Sequence, residues 1–367
     1  MTTKTEWALA RNILCVRLDN MGDVLMTTPA IRALKVSASG RRITLLTSTS
    51  GAALAPFLCD VDETVSYDAA WVKNNAKGVV DDCAMVETLR RHRFDAVVIF
   101  TVYSQSALPA ALMCHLAGIR LALAHARENP YRLLSHWIKE TEPVEMIRHE
   151  VQRQLDLVAS IGATCSDVRL SFTTRQAERR SLTGILRAHK VWQTGGWVVV
   201  HCGATAASRR YSPQRYARVI SLLHNSRCQV LLTGSNEEKP LIKNIINQCS
   251  PRKHVVDLAG KLSLGELACL IEDAGVLISN NTGPVHIASA VQTPVVDLYA
   301  LTNLQHTPWD VPHRLLYHDV PCKNCYSSVC IQGNNACLEG VEPQAVVAAA
   351  LDLLKVDIAV AHHSMTA

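Results

Sequence analysis

Short runs of Val, Ile and Leu alternate with longer stretches whose apolar residues recur at helical spacing. In the first half the pattern predicts strands at Ile13–Leu18, Ile43–Thr47, Ala96–Thr101 and Leu121–Ala124, and helices at 23–37, 82–92, 105–117 and 149–161. Continuous apolar strands separated by segments of helix length are typical of a parallel sheet covered by helices on both faces. The first half is therefore predicted to be a doubly wound α/β domain.

The same alternation starts again after the glycine pair at 195–196. The predicted strands are Trp197–His201, Gln229–Thr233, Val255–Leu258, Val276–Ser279 and Val295–Tyr299, and the predicted helices are Pro213–His224, Glu237–Gln248, Leu264–Asp273 and Pro284–Ala290. We expect an N-terminal domain at 1–185, a second domain at 186–345, and a C-terminal helix and tail at 346–367 that could pack across the first domain. The join is expected at a charged helix that ends in Thr-Gly-Gly.

Composition narrows the class of protein. The 367 residues exceed the length of one ordinary core, and 37 Lys+Arg against 32 Asp+Glu is too even for a protein that wraps nucleic acid. A net charge of +5 suits anionic ligands or an anionic membrane face. No uncharged apolar run of about eighteen residues and no signal-peptide pattern occur. We therefore expect a cytoplasmic protein whose thirteen cysteines stay reduced.

The first candidate site is the turn "RLDNMGDVL", where a strand ends and a helix begins. Ligands of doubly wound sheets bind at the carboxyl ends of the strands, so residues in such turns are informative. Asp23 either caps the helix or acts as a general base, while Gly22 lets the backbone approach a ligand closely. Asp19 is either a turn residue or a partner of that base. The spacing is not that of a dinucleotide-binding glycine loop.

Two turns in the second half point to a phosphate group. "HCGATAASRRYSP" carries the hydroxyls of Thr205 and Ser208 before Arg209 and Arg210, a combination that suits a diphosphate unless the arginines are only solvated charges. "SNNTGPVHIASA" places a proline at the start of a helix. Such a helix start presents backbone N–H groups to an anion.

These motifs together resemble glycosyltransferase family 9, which includes the ADP-heptose:lipopolysaccharide heptosyltransferases of Gram-negative bacteria. The resemblance rests on "ILCVRLDNMGDVLMTTPAIRALK", "GATAASRRYSPQRYARVISLL", "VLLTGSNEE" and "DLAGKLSLGELACLIEDAGVLISNNTGPVHIASAVQTPVVDLY". It implies a GT-B fold, with two Rossmann-like domains facing across a cleft and the nucleotide sugar held by the second. It also implies an inverting displacement at the anomeric carbon.

The resemblance implies a role for each matching residue. Asp23, beside Gly22, would deprotonate the acceptor hydroxyl, and Arg209 would stabilise the leaving diphosphate. The expected donor-binding residues are Thr205, Ser208, Arg210, Glu237, Glu238, Leu262, Asn281, Thr282, Gly283 and His286. No metal cofactor is then required for catalysis, because arginine and helix N-termini neutralise the diphosphate. His286 could instead be a structural hydrogen-bonding residue.

Two features leave the substrates open. Many family members carry Asp where this chain has Asn281, and that Asp commonly contacts the donor sugar, so the sugar is not fixed by the resemblance. The stretch from 125 to 155 is rich in basic residues, which suits a phosphorylated glycolipid acceptor or else forms a solvated face. Its basic residues are Arg127, Arg132, Lys139, Arg148 and Arg153.

A cysteine-rich loop at 321–338 poses a separate question. Cys322, Cys325, Cys330 and Cys337 could ligate a structural zinc or iron ion, pack as reduced thiols, or form disulfides. Their spacing is not that of a standard zinc ribbon. A bound metal would hold the loop together and take no part in sugar transfer.

The leading hypothesis is an inverting glycosyltransferase that moves a heptose or similar sugar from an ADP-sugar to lipopolysaccharide or a related surface glycan. Its partners would be the nucleotide-sugar donor and a glycolipid or other glycan acceptor, with peripheral contact at the inner membrane and no nucleic acid. The alternatives are a sugar-nucleotide epimerase or hydrolase on the same scaffold, or a catalytically silent sugar-nucleotide-binding protein.

Overall fold

The chain divides into two units, each built on its own sheet. The structure, a computed structural model, describes residues 3–72, 79–191, 196–226 and 228–364. The units are Met1–Thr173 and Thr174–Ala367. Each contains a six-stranded sheet in which every pair of neighbouring strands is parallel. The predicted α/β class with two Rossmann-like units is confirmed.

The first unit has the sheet order β3-β2-β1-β4-β5-β6. Its strands are β1 (Asn12–Arg17), β2 (Arg42–Thr47), β3 (Glu63–Ser66), β4 (Ala96–Ile99), β5 (Leu121–Ala126) and β6 (His136–Lys139). Its helices are α1 (Thr3–Leu9), α2 (Met21–Val36), α3 (Thr49–Ala52), α4 (Val79–His92), α5 (Leu108–Leu116) and α6 (Glu150–Ala159). The chain leaves β1 in one direction and returns on its other side at β4, so the strand order reverses between these two strands.

The second unit repeats this plan with the order β12-β11-β10-β7-β8-β9. Its strands are β7 (Val198–His201), β8 (Val230–Thr233), β9 (Val255–Asp257), β10 (Val276–Asn280), β11 (Val295–Leu298) and β12 (His313–Leu316). Its helices are α7 (Gln176–Ala188), α8 (Pro213–Asn225), α9 (Lys239–Gln248), α10 (Leu264–Glu272), α11 (Gly283–Ala290), α12 (Ala336–Glu339) and α13 (Pro343–Ser364). Here the strand order reverses between β7 and β10.

The boundary between the units lies earlier than the sequence predicted. The predicted boundary at 185 falls inside α7, which belongs to the second unit. Arg179 of α7 pairs with Glu272 and with Asp273 at the end of α10, the latter at 2.6 Å. Helix α7 therefore belongs to the second unit, because ion pairs join it to the end of α10.

The C-terminal helix is also part of the second unit. It was expected as a separate segment that could pack across the first domain. In the structure, Val346, Ala350 and Leu353 of α13 are buried in the same apolar cluster as the core of β7 and α8. Among the described residues, no helix is both long and apolar enough to cross a lipid bilayer.

Candidate active site

The first half of the candidate site lies where the strand order reverses in the first unit. Ligands of open parallel sheets bind at the carboxyl ends of the strands at such a reversal. The turn after β1 carries Asp19, and the segment after β4 carries Gln105, whose Nε2 donates to Asp19 Oδ1 at 2.6 Å. The two strand ends are therefore joined by a side-chain hydrogen bond at the predicted position.

The buried side chain of Arg17, at the end of β1, contacts three carboxylates. The Arg17 side chain is inaccessible to solvent, and its Nη1 donates to Glu150 Oε1 at 2.6 Å. Its Nε lies 2.9 Å from Asp19 Oδ2. Burial opposes the charge of Arg17, but the neighbouring carboxylates raise its pKa above the ordinary value. Burial, reinforced by the charge of Asp23, raises the pKa of Asp19.

Asp23 belongs to the same cluster and also caps its helix. Its Oδ1 lies 3.4 Å from Arg17 Nη2, and its Oδ2 accepts from the backbone N–H of Asn20 at 3.1 Å. Asp23 is the third residue of α2 and forms a capping box with Asn20, while Gly22 lies beside it in the first helical turn. The capping interpretation of Asp23 is therefore confirmed geometrically, and its role as a base stays a prediction.

A cavity opens beside this cluster within the first unit. It has a volume of about 350 Å³ and is lined by the ends of β1 and β4, by Trp71 and by the segment 104–106. Asp19 lies in its wall, and the exposed residues Ser104, Gln105 and Ser106 line it as well. The cavity thus combines an apolar floor with a few polar groups, as small-molecule sites do.

Three arginines of the basic stretch at 125–155 bind other groups of the first unit. Arg153 is inaccessible to solvent and pairs with Glu140, and Arg148 Nε contacts Glu142 Oε1 at 2.5 Å. Arg127 Nη2 donates to two backbone carbonyls, those of Tyr103 and Glu142. These three arginines therefore do not form the phosphate-binding surface that the sequence allowed, because local carboxylates and carbonyls occupy them.

The second half of the candidate site lies where β7 and β10 end side by side. Asn280 joins their two turns: its Nδ2 donates to the carbonyls of Cys202 at 2.9 Å and Gly203 at 3.2 Å. Its Oδ1 accepts from the backbone N–H of Tyr211 at 3.1 Å. The loop at 202–211 and the turn at 280–283, which the sequence singled out separately, are thereby held together.

The two adjacent arginines of the first loop differ in their contacts. Arg210 Nε donates to the Ala204 carbonyl at 2.7 Å, so this side chain stabilises the loop to which it belongs. Among the described residues, Arg209 has no side-chain hydrogen bond or ion pair, and its charge is felt at Asp297. Of the two arginines, Arg209 is therefore the one whose guanidinium is available to an anionic ligand, and its role in stabilising a diphosphate stays a prediction.

Ser208 uses its donors within the chain. Its hydroxyl donates to the Ser327 carbonyl at 2.7 Å and its backbone N–H donates to the Ser328 carbonyl at 3.1 Å. Its expected role as a phosphate donor stays a prediction, which requires the hydroxyl to leave the Ser327 carbonyl. Thr205 is exposed on the same loop and remains a candidate donor.

Asn281 has a structural explanation that the sequence alone did not provide. Its Nδ2 donates to Asp297 Oδ2 at 2.8 Å and to the His306 carbonyl at 2.8 Å. Burial raises the pKa of Asp297 to about 8, against the opposing effects of Asn281 and Arg209. An aspartate at 281 would put two carboxylates in direct contact here, so the amide suits this particular neighbour.

The start of α11 has the geometry expected for an anion-binding turn. Thr282 is the N-cap with an extended backbone, Gly283 is the first helical residue and Pro284 follows it. His286 lies in the first turn and is buried. Thr282 Oγ1 donates to the Asn280 carbonyl at 3.2 Å, which leaves the backbone at this helix start as the main source of donors.

The two glutamates after β8 are distinguished by their surroundings. A Cβ atom on Gly203 would lie 1.8 Å from Glu238 Oε1, so the Glu238 carboxylate packs directly on the first loop and requires glycine there. Its Oε2 accepts from the Ser235 backbone N–H at 2.8 Å. Glu237 is exposed, and Leu262 is half-buried in the turn before α10. Glu238 is therefore the better candidate for contact with a ligand bound at the loop.

The cysteine-rich loop supports the arginine loop. All thirteen cysteines are free thiols, and within the described ranges no group of three or more Cys, His, Asp or Glu side chains is arranged to hold a metal ion. The charges of Cys322, Cys325 and Cys330 nevertheless act on Cys337, so the four thiols of this loop lie near one another, and a metal ion held by them stays a prediction. Asn335 Nδ2 donates to the Ala207 carbonyl, next to the Ser208 contacts with this loop.

Several residues of the site were missed by reasoning from sequence alone. Arg17, Glu150, Gln105 and Asp297 all make contacts that hold the predicted residues in place. A signal did exist for two of them, because Arg17 and Asp297 are single charges inside otherwise apolar strands. Buried charges in strands are rare unless they are paired or functional.

Two parallel sheets, each with its polar residues at the strand-order reversal, define an α/β protein built from two Rossmann-like units. The chain belongs to glycosyltransferase family 9 (heptosyltransferase), whose sequence profile matches residues 83–336. This match spans more than half of the chain and contains both loops of the second unit. It begins after the turn that carries Asp23.

Comparisons with individual proteins agree with the family. Lipopolysaccharide heptosyltransferase 3 of Escherichia coli K12 is 26% identical over 302 residues, which cover 78% of this chain and 81% of that protein. Among solved structures, a family 9 glycosyl transferase of Veillonella parvula superposes with a TM-score of 0.78 at 18% identity, over 95% of this chain and 98% of that one. E. coli heptosyltransferase WaaC with ADP-2-deoxy-2-fluoro heptose gives a TM-score of 0.64 at 18% identity, over 91% and 97% of the two chains. These structures confirm the GT-B fold.

Proposed function

We propose that this enzyme transfers heptose from an ADP-heptose donor to a sugar of the lipopolysaccharide core or a related surface glycan. The observation that carries the proposal is the guanidinium of Arg209, which has no ion pair among the described residues, on a loop that Asn280 joins to the turn before α11, in a member of family 9. The names of the relatives support the donor and the acceptor, since they are a lipopolysaccharide heptosyltransferase and a heptosyltransferase with an ADP-heptose analogue.

In this proposal each unit supplies different residues to the reaction. Asp23 accepts the proton of the acceptor hydroxyl as it attacks the anomeric carbon, and configuration is inverted. Arg209 and the backbone at Thr282–Gly283 stabilise the leaving diphosphate, so that no metal ion is needed for that step. Glu238 binds the nucleoside side of the donor, and the acceptor binds to the first unit. A glycolipid acceptor would be met at the cytoplasmic face of the inner membrane, and thirteen free thiols agree with a reducing compartment.

The role of Asp23 is tested by Asp23→Asn, with Glu87→Gln as the matched control. Asparagine keeps an oxygen for the capping contact with Asn20 but loses the basic carboxylate. We expect transfer to fall by about 10²–10⁴-fold, the usual contribution of a general base, while ADP-heptose binding measured by calorimetry is unchanged. Glu87 lies on the surface of α4 and pairs only with Arg90, so its variant should stay fully active. An active Asp23→Asn enzyme would remove Asp23 from the mechanism.

The donor half is tested by comparing Arg209→Ala with Arg210→Ala. We expect a loss of about 10²–10³-fold in kcat/KM for the first and less than tenfold for the second, because Arg210 only staples its loop. Equal losses would contradict the assignment. Release of ADP is measured with and without a lipopolysaccharide core acceptor, and hydrolysis at the same rate without acceptor would favour a hydrolase instead.

A further inference from the structure

We propose that the cavity beside Asp19 in the first unit binds a neutral pyranose of the acceptor, stacked on Trp71, and rejects a phosphorylated or carboxylated sugar. This inference rests on the proposed function, since it names the class of acceptor for that reaction. It concerns the sugar that enters the cavity and no other part of the acceptor.

The lining of the cavity has the chemistry of a carbohydrate site. Trp71 is about one-third exposed, with a relative accessibility of 37%, and it lines the cavity together with the apolar ends of β1 and β4. The ring of a pyranose has one flat apolar face that packs on an indole, while its hydroxyls need polar partners at the edge. Ser104, Gln105 and Asp19 supply hydroxyl, amide and carboxylate groups there. A volume of about 350 Å³ lies within the range of small-ligand sites.

The charges around the cavity argue against an anionic sugar. None of the described residues that line it is Lys or Arg. Arg17, whose partner Asp19 lies in the cavity wall, is already neutralised by three carboxylates. The lining residue Ser106 donates through its Oγ to Glu128 Oε1 at 2.7 Å, and this contact lowers the pKa of Glu128, so a further carboxylate stays ionised beside the lining.

Among the described residues, the charges around the cavity sum to a negative balance. Arg153, behind the Thr101 carbonyl, is paired with Glu140, and Arg148 with two carboxylates. Arg127 is fixed by backbone carbonyls and balances Glu128 only. The cluster of Arg17 with its three carboxylates then leaves an excess of negative charge, and one excess carboxylate persists even with Asp19 protonated. Contact between like charges would therefore disfavour an incoming phosphate.

The first test measures binding to the full-length enzyme without any transfer. The probes are methyl α-D-mannopyranoside, its 6-phosphate, and methyl α-D-glucuronopyranoside beside methyl α-D-glucopyranoside, with affinities measured by ligand-observed NMR. We expect the neutral glycosides to bind at least tenfold more tightly than their charged counterparts. Equal or tighter binding of the charged probes, or no binding of any probe, would overturn the proposal.

The second test separates stacking from folding. We expect Trp71→Ala to weaken neutral-glycoside binding at least fivefold and Trp71→Phe to restore part of it, while Trp137→Ala, at another exposed tryptophan of the same unit, leaves it unchanged. Acceptor KM should rise in Trp71→Ala with little change in kcat. If neutral glycosides bind through Trp71 but ADP-heptose is neither bound nor consumed, the proposed function fails and the cavity assignment stands. If ADP-heptose is consumed but Trp71→Ala changes neither glycoside binding nor acceptor KM, the cavity assignment fails alone.

Discussion

Replacing Arg17 by methionine should destabilise the first unit strongly and in a pH-dependent way. The Arg17 and Glu150 side chains are both inaccessible to solvent, and Asp19 is 9% exposed. Methionine keeps the apolar length of the side chain but leaves these carboxylates buried without a cation. Breaking a buried ion pair by removing one partner costs about 3–5 kcal/mol. We expect a loss of this size in the unfolding free energy at pH 8.

The dependence on pH follows from the same burial. Without Arg17, the pKa of Asp19 in the folded chain rises further above that of the unfolded chain, which lies near 4. Groups with a raised pKa in the folded state stabilise it at low pH, and this contribution is lost as the pH rises through the folded pKa. The deficit of Arg17→Met should therefore be smaller at pH 5.5 than at pH 8.

The measurement is urea denaturation followed by hydrogen-exchange mass spectrometry on peptides from β1 and β4, which report the first unit. The matched control is Arg42→Met in the neighbouring strand, whose partner Glu63 is solvent-accessible, and whose loss should cost no more than about 1 kcal/mol. Adding Glu150→Gln to Arg17→Met should recover at least about 1 kcal/mol, because it removes an orphaned charge. A deficit below about 1 kcal/mol, or one of equal size at both pH values, would refute this account of the cluster.

Three further predictions concern the second unit. Burial raises the pKa of Asp297 in the folded chain to about 8, so the unfolding free energy of the wild type should fall between pH 6 and pH 8. Over that interval the unfolding free energy of Asp297→Asn, measured by urea denaturation, should rise by about 2–3 kcal/mol relative to that of the wild type. A difference that stays constant with pH would contradict the assignment of Asp297 as a buried acid. Asn281→Asp should cost about 3 kcal/mol at pH 8 and be rescued by Asp297→Asn, as thermal melting would show; an unchanged melting temperature in the single variant would argue against the contact. Burial opposes ionisation of the Cys330 thiol, but backbone N–H groups outweigh it and lower the pKa, whereas burial raises the pKa of Cys337. Iodoacetamide at pH 7.5 should therefore alkylate Cys330 before Cys337, as peptide mapping would show. The reverse order of alkylation would refute this prediction.

The central strands were the part of the fold most readily predicted. β1 and β4 are buried along nearly their whole length, so their sequences are continuous apolar runs with an unambiguous signal. The edge strands β3, β6 and β12 were missed. They read Glu-Thr-Val-Ser, His-Trp-Ile-Lys and His-Arg-Leu-Leu, and they have only intermediate or exposed residues. A strand paired on one side needs fewer apolar residues, so its pattern is lost among the loops.

Candidate site residues could be chosen from the sequence, but the contacts that hold them in place could not be predicted. Gly22, Asp23, Thr282 and Gly283 were found because turns between a strand and a helix carry local signals, namely glycine, acidic residues in the first turn and proline at the helix start. The contact of Ser208 could not be foreseen from sequence, because its partner lies in a loop 119 residues away along the chain. No local pattern distinguishes a hydroxyl that faces a ligand from one that holds a distant loop.

By itself the sequence determined the alternation of strands and helices, and hence the parallel sheets and the strand ends at which a ligand would bind. These follow from periodicity and turn chemistry, which act over a few residues. Only the tertiary structure decided that Arg17 gathers carboxylates from positions 19, 23 and 150, and that Asn281 meets Asp297 rather than solvent. Contacts of this kind depend on the order of strands in the sheet, which brings together residues far apart in the chain, and they set the charge of each half of the site.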